Sequence, residues 1–312
     1  MSELYEQIAS DMGVPKSLVS SAVNMAYIRY KKIRIKKHSG GTRVLIQPSA
    51  ELKLVLAWLD AKLLRLLPVS SIATAFEKGT SIVKNAKVHR NSRYSVRVDI
   101  SDFFGSIKSA DLLSILDGKR VTLPEFVQVP DFKTLISKSC FDEYDRLPIG
   151  YSTSPKIANV VMRDLDELLI RTLQESQDEY GKFALTRYAD DFVFSTDLKG
   201  ACKKFVAKFE NLLANTNSPR LQINRKKTRM MSRDGGSTLI TGLRVNSLGG
   251  VGVHPNYRDH VRLLLKLFSL GKLKAEETPS LCGHLAFVEH ADPRLFTRLA
   301  FRYSAEIAKL RT

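Results

Sequence analysis

Two apolar β-type runs in this chain carry acid where a strand ordinarily carries none. Val96-Arg97-Val98-Asp99-Ile100 reads as a strand, and Phe183 to Phe194 reads as a hairpin with Tyr188-Ala189-Asp190-Asp191 at its turn. Successive strand residues face opposite sides, so neighbouring aspartates can serve one centre only where the chain turns. Aspartate also favours turns for local reasons, and Asp190-Asp191 alone could be turn chemistry. A second strand carrying Asp99 moves the reading toward a shared carboxylate centre. Between them, residues 155–175 form a helix with Ile157, Val160, Val161, Leu165, Leu168 and Leu169 on its apolar side. A further helix over 201–214 and strands at Leu221-Gln222-Ile223 and Leu239 to Val245 follow. Strand, helix, hairpin, helix, strand predicts an α+β fold with a ferredoxin-like sheet backed by helices.

Upstream, residues 3–30 read as helices broken at Gly13-Val14-Pro15, and Lys31 to Ile46 as a basic β-hairpin turning at Gly40-Gly41. Leucines at helical spacing over 51–67 predict a helix that Pro68 closes. Three scattered cysteines lack zinc or disulfide spacing, which fits a reducing compartment. Neither a secretory leader nor a membrane-length apolar run is visible, so the expectation is a soluble, cytoplasmic protein without a membrane role.

Lys and Arg number 49 against 32 Asp and Glu, a formal net charge of +17. That excess points to a polyanion, because each neutralised phosphate releases condensed counterions. Anionic membrane surfaces attract such proteins too. A carboxylate set inside a basic chain suits nucleotidyl transfer, in which two Mg²⁺ ions roughly 3.5–4 Å apart stabilise the attacking and leaving oxygens. Mg²⁺ prefers hard oxygen ligands and keeps several waters, so Asp99, Asp190 and Asp191 plus substrate phosphates would suffice, with Mn²⁺ able to substitute.

Four segments, in order, resemble the polymerase motifs of reverse transcriptases. Val98-Asp99-Ile100-Ser101-Asp102-Phe103-Phe104 is similar to motif A, and Leu147 to Pro155 to motif B. Tyr188-Ala189-Asp190-Asp191 matches the motif C box, and Leu221-Gln222-Ile223-Asn224 with Lys227-Thr228 resembles motif D. The resemblance implies a right-hand polymerase: N-terminal helices and fingers over 1–98, a palm over 99–240 with an insertion around 117–147, and a helical thumb over 241–312. It implies that Asp99 and Asp190 ligate metal with Asp191 assisting. Phe104 would lie beneath the sugar of the incoming dNTP and exclude a 2′ hydroxyl. Gly150 would let backbone approach template or nucleotide; many relatives carry glutamine where Ile149 stands. Arg43, with Lys36 and Lys37, would clamp the triphosphate or simply be a solvated basic hairpin. Lys227 would protonate the leaving pyrophosphate or contact phosphate.

Asn85-Ala86-Lys87-Val88-His89 and Ile240-Thr241-Gly242 resemble two elements of retron reverse transcriptases. Membership there implies RNA contact through Asn85, His89, Thr241 and Gly242, and binding of a cognate structured noncoding RNA. The enzyme would prime from an internal guanosine 2′ hydroxyl, make a branched RNA–DNA hybrid (msDNA), and act in antiphage defence with an effector protein. With no room for an RNase H domain, copied RNA would be removed by host RNase H. Independently, Arg258, Arg262 and Lys266 fall four apart on one predicted helix, and Arg294, Arg298 and Arg302 on another, suiting a grip on duplex backbone. An intron-like or diversity-generating reverse transcriptase, or a non-catalytic RNA scaffold for an effector, are the alternatives.

Overall fold

The computed structural model describes residues 3–36 and 40–311, so the expectation for Lys37 lies outside the described residues. Along the chain come α1 (Glu3–Met12), α2 (Lys16–Asn24), β1 (Tyr30–Lys36), β2 (Thr42–Pro48), α3 (Ala50–Lys62), α4 (Ile82–Val88) and β3 (Tyr94–Asp99). Next are α5 (Phe103–Ser106), α6 (Ser109–Gly118), α7 (Asp131–Cys140), α8 (Ser154–Glu175), α9 (Gln177–Tyr180), β4 (Phe183–Tyr188), β5 (Asp191–Thr196) and α10 (Ala201–Ala214). The chain finishes with β6 (Arg229–Ser232), β7 (Ser237–Ile240), β8 (Leu243–Asn246), β9 (Val251–Val253), α11 (Pro255–Ser269), α12 (Thr278–Ala291), α13 (Pro293–Arg302) and α14 (Ser304–Arg311).

Two compact units result, each assembled from three stretches of chain. The first holds Met1–Glu77, Asp99–Ser176 and Val206–Lys226. Pro15 supplies the break between α1 and α2, since it has no amide hydrogen to continue a helix and its ψ of 141° is extended immediately before α2. Helix α3 begins where the Ser49 hydroxyl accepts from the Leu52 amide at 3.1 Å, a side-chain cap on an orphan donor. Its Trp58 ring packs on Phe126 with centroids 4.9 Å apart, while the indole nitrogen donates to Asp11 at 2.8 Å. An aromatic with one polar edge is thereby buried and satisfied.

The second unit holds Lys78–Val98, Gln177–Phe205 and Lys227–Thr312. Its four-stranded sheet has the order β4-β5-β3-β6. In chain order that is second, third, first, fourth, the ferredoxin-like arrangement the sequence predicts. Strand β4 pairs antiparallel with β5 from Phe183↔Thr196 to Tyr188↔Asp191, and β3 with β6 from Tyr94↔Ser232 to Arg97↔Arg229. Phe194 of β5 stacks on Phe205 of α10 at 4.5 Å, fixing one face of the hairpin. A second sheet, β7-β8-β9, packs with α4 and the C-terminal helices around Val83, Ala86, Ile240, Leu243, Val261, Leu285 and Leu295.

One strand assignment changes. Leu221-Gln222-Ile223 is not a strand; it touches motif A through a single bridge, Ile100↔Ile223. On the side of β3 away from β5 the pairing partner is Arg229–Ser232, an edge strand with two exposed and two half-buried residues. Its Arg-Met-Met-Ser sequence lacks the apolar alternation that marks a half-buried strand. Among the described residues no helix is long and apolar enough to cross a membrane.

Candidate functional site

Tyr188 pairs with Asp191, so Ala189 and Asp190 alone close the β4–β5 hairpin. Ala189 takes a left-handed φ of +57°, which an L side chain disfavours. Asp190 sits at the tip and Asp191 opens β5, both half-buried. Strand β3, ending at Asp99, is the neighbour of β5 in the sheet. Arg97 Nε stands 3.8 Å from Asp191 Oδ1, beyond hydrogen-bond reach but within strong Coulomb attraction. Residues 97 and 99 lie two apart on one strand and therefore share a face of β3. Asp99 is only 6% exposed, and its carbonyl accepts from the Asn224 amide at 2.7 Å, tying motif A to the motif D segment.

Asp190 and Asp191 suit Mg²⁺ in donor chemistry: hard carboxylate oxygens at a hairpin turn, with the Arg97 cation beside Asp191. Among the described residues no three His, Cys, Asp or Glu side chains group closely enough to cage an ion on their own. Mg²⁺ sites usually take one or two carboxylates and leave the remaining positions to water and substrate phosphate.

In the first unit, backbone bonds draw motif A, motif B and the fingers hairpin together. The Leu147 amide donates to the Phe104 carbonyl at 3.2 Å, and the Ile46 amide of β2 to the Ile149 carbonyl at 2.7 Å. Gly150 has a φ of +119°, and a Cβ there would stand 2.7 Å from the Ile46 carbonyl oxygen. The close approach Gly150 permits is thus to strand β2. Phe103 is buried as a core residue, while Phe104 is half-buried with its ring edge-on to Phe103 at 5.3 Å.

Asn85 and Thr241, from the two retron-like elements, meet: Asn85 Nδ2 donates to Thr241 Oγ1 at 3.4 Å, and that hydroxyl donates to the Ile82 carbonyl at 3.3 Å. Thr241 and Gly242 are the two central residues of the β7–β8 turn, with φ of +46° and +82°. Left-handed geometry at both positions belongs to a type I′ turn, for which a β-branched threonine is a poor choice. The bonds to α4 hold it there. His89 is 1% exposed, its Nδ1 2.7 Å from Ser195 Oγ and its Nε2 2.7 Å from Thr186 Oγ1. Asn85, at 0% exposure, and His89 therefore turn their side chains into the protein, while Gly242 is exposed.

Burial pushes the His89 pKa down to about 3. The unfolded chain takes up a proton near 6.5 that the native state refuses until about 3, so stability is full above 6.5 and falls through that window. Lowering pH from 7 to 5 is expected to remove about 2 kcal/mol through this residue. Urea unfolding of wild type and His89→Gln at both pH values checks it; equal pH dependence in the two proteins would count against the buried neutral ring.

Arg43 is exposed on β2 and Lys227 is exposed within the motif D segment. Arg258 and Arg262 on α11 both contact Asp259, at 2.9 and 3.4 Å, which offsets part of that basic stripe; Lys266 is exposed. Arg294, Arg298 and Arg302 on α13 are exposed beside Phe301, itself 90% exposed. Tyr257 packs inward, its hydroxyl 2.7 Å from His284 Nδ1. All three cysteines are free, and burial pushes Cys140 up to about 12 and Cys202 up to about 11, leaving both thiols inert. Sequence reasoning missed Arg97 and Arg187, the second a fully buried arginine just before the acidic turn. A charged residue within each apolar run was the available signal.

Residues 35–264 match the reverse transcriptase (RNA-dependent DNA polymerase) family. The chain is 38% identical over 281 residues to the retron Ec73 reverse transcriptase of Escherichia coli, covering 89% of this chain and 88% of that protein. It is 26% identical over 287 residues to the retron Ec83 reverse transcriptase of the same organism, covering 90% and 88%. In fold it is similar to telomerase from Candida albicans, with a TM-score of 0.53 at 13% identity, spanning 99% of this chain and 59% of that one. The acid-tipped hairpin beside the Asp99 strand, the ferredoxin-like sheet and these likenesses converge: the chain belongs to the reverse transcriptases, in their retron branch.

Proposed function

We propose that this protein copies a cognate structured noncoding RNA into a branched RNA–DNA hybrid, msDNA, by two-metal nucleotidyl transfer. The observation that carries the catalytic half is the placement of strand β3, with Asp99 at its end, next to β5, which opens at Asp191 from the Asp190 turn. Asp99, Asp190 and Asp191 would hold Mg²⁺, which when bound acidifies the primer hydroxyl and neutralises the triphosphate. Arg97 moderates repulsion among the acids before substrate arrives. Phe104 walls the sugar side of the dNTP site, Gly150 keeps motif B against the fingers strand, and Arg43 and Lys227 supply charge toward phosphates. Fingers, palm and thumb follow the divisions 1–98, 99–240 and 241–312.

The retron half is supported by the Asn85–Thr241 contact, which makes the two diagnostic elements one local structure rather than two separate RNA contacts. That structure leaves the Gly242 turn exposed, where it would meet RNA. Arg258, Arg262 and Lys266 on α11 would contact the RNA backbone, with Arg294, Arg298 and Arg302 on α13 offering a second basic face around Phe301. Host RNase H would trim the template, and an effector protein would couple the product to antiphage defence in the bacterial cytoplasm. Copurified nucleic acid tests the proposal. Sequencing it with and without debranching should yield one short RNA joined 2′–5′ to DNA; heterogeneous cellular RNA without attached DNA would overturn the retron reading.

A further inference from the structure

We infer that Arg187 is a positioning residue that locks the acidic turn in the geometry metal binding requires. Among the described residues it is the bulkiest of the fully buried side chains, at 0% exposure, on β4 opposite Phe192. By strand alternation it shares a face with Leu185 and Phe194, the face on which Phe194 stacks against Phe205. A guanidinium in such surroundings is costly unless its donors are used. Arg187 Nη1 donates to the Ala189 carbonyl oxygen at 3.3 Å.

That acceptor is informative. The Ala189 carbonyl belongs to the peptide plane leading into Asp190, so holding the oxygen fixes the direction in which Asp190 leaves the turn. Ala189 is itself at φ +57°, a conformation glycine would adopt freely and alanine adopts only when its surroundings impose it. A buried planar donor two residues upstream imposes it from within the sheet. Two carboxylates must meet metal within about half an ångström of the productive geometry, and losing a group that orients metal ligands typically costs about 10- to 100-fold in affinity.

The inference rests on Asp190 and Asp191 being metal ligands, and its test separates the two claims. Mn²⁺ binding to full-length protein, read from the free-ion electron paramagnetic resonance signal, is compared for wild type, Arg187→Lys, Arg187→Gln and Asp190→Asn plus Asp191→Asn. Both Arg187 variants should bind Mn²⁺ about 10-fold more weakly, the usual scale for losing a ligand-orienting group. They should need correspondingly more Mg²⁺ for half-maximal primer extension, with template–primer affinity unchanged. Arg187→Lys, which keeps the charge, is read if Arg187→Gln fails to fold. Wild-type Mn²⁺ affinity in a cooperatively folded Arg187 variant, or loss of cooperative melting in both variants, overturns the inference and leaves Arg187 a fold-stabilising residue. Wild-type Mn²⁺ affinity in the double aspartate variant instead removes the metal reading on which the inference stands.

Discussion

Asp190→Asn combined with Asp191→Asn is expected to lower primer extension on an RNA template by at least about 10³-fold, because both changes delete the proposed anionic metal ligands while keeping side-chain shape. The fold should survive. Asp190 lies in a two-residue turn and Asp191 opens β5, and asparagine is isosteric with aspartate, so neither substitution opens a cavity. Circular dichroism melting alongside the polymerase assay separates lost chemistry from lost structure. Extension within tenfold of wild type by a folded variant would leave the scaffold alternative standing.

Phe104→Val should change what is polymerised more than how fast. The ring is half-buried, edge-on to Phe103 at 5.3 Å, in the segment whose carbonyl accepts from Leu147 of motif B. Shortening it opens space on the sugar side of the proposed dNTP site. The ratio of kcat/KM for ribonucleotides over deoxynucleotides is expected to rise about 10²-fold, close to 2.7 kcal/mol of discrimination. Thermal stability should drop modestly, by about 1–2 kcal/mol, since the side chain is only partly buried. Single-nucleotide insertion kinetics with matched ribo and deoxy substrates decide it, and an unchanged ratio would remove Phe104 from the sugar pocket.

The parts of this protein that could be read from sequence are those whose physics is local. Pro15 breaks α1 from α2, glycines turn the β1–β2 hairpin, and Tyr188 to Asp191 forms a turn because apolar alternation stops there. Strand β6 escaped because an exposed edge needs no hydrophobic period and its pairing is set entirely by β3. The roles of Asn85 and His89 escaped for a different reason. Their side chains are satisfied by Thr241, Ser195 and Thr186, residues roughly a hundred or more positions away. A polar residue on a short helix reads equally well as a ligand contact or as an internal strut until its partners are known. Arg187 illustrates the same limit, since its position in the strand is visible while its burial is not.

The bond between Asn85 and Thr241 also bears on how such enzymes can be recombined. A chimera that grafts the C-terminal part of one relative onto the body of another would separate α4 from the β7–β8 turn it steadies. Both halves would then carry family-typical residues, yet the threonine would face a neighbour it was never selected beside. Exchanging the two segments as a pair is the cut that respects the molecule.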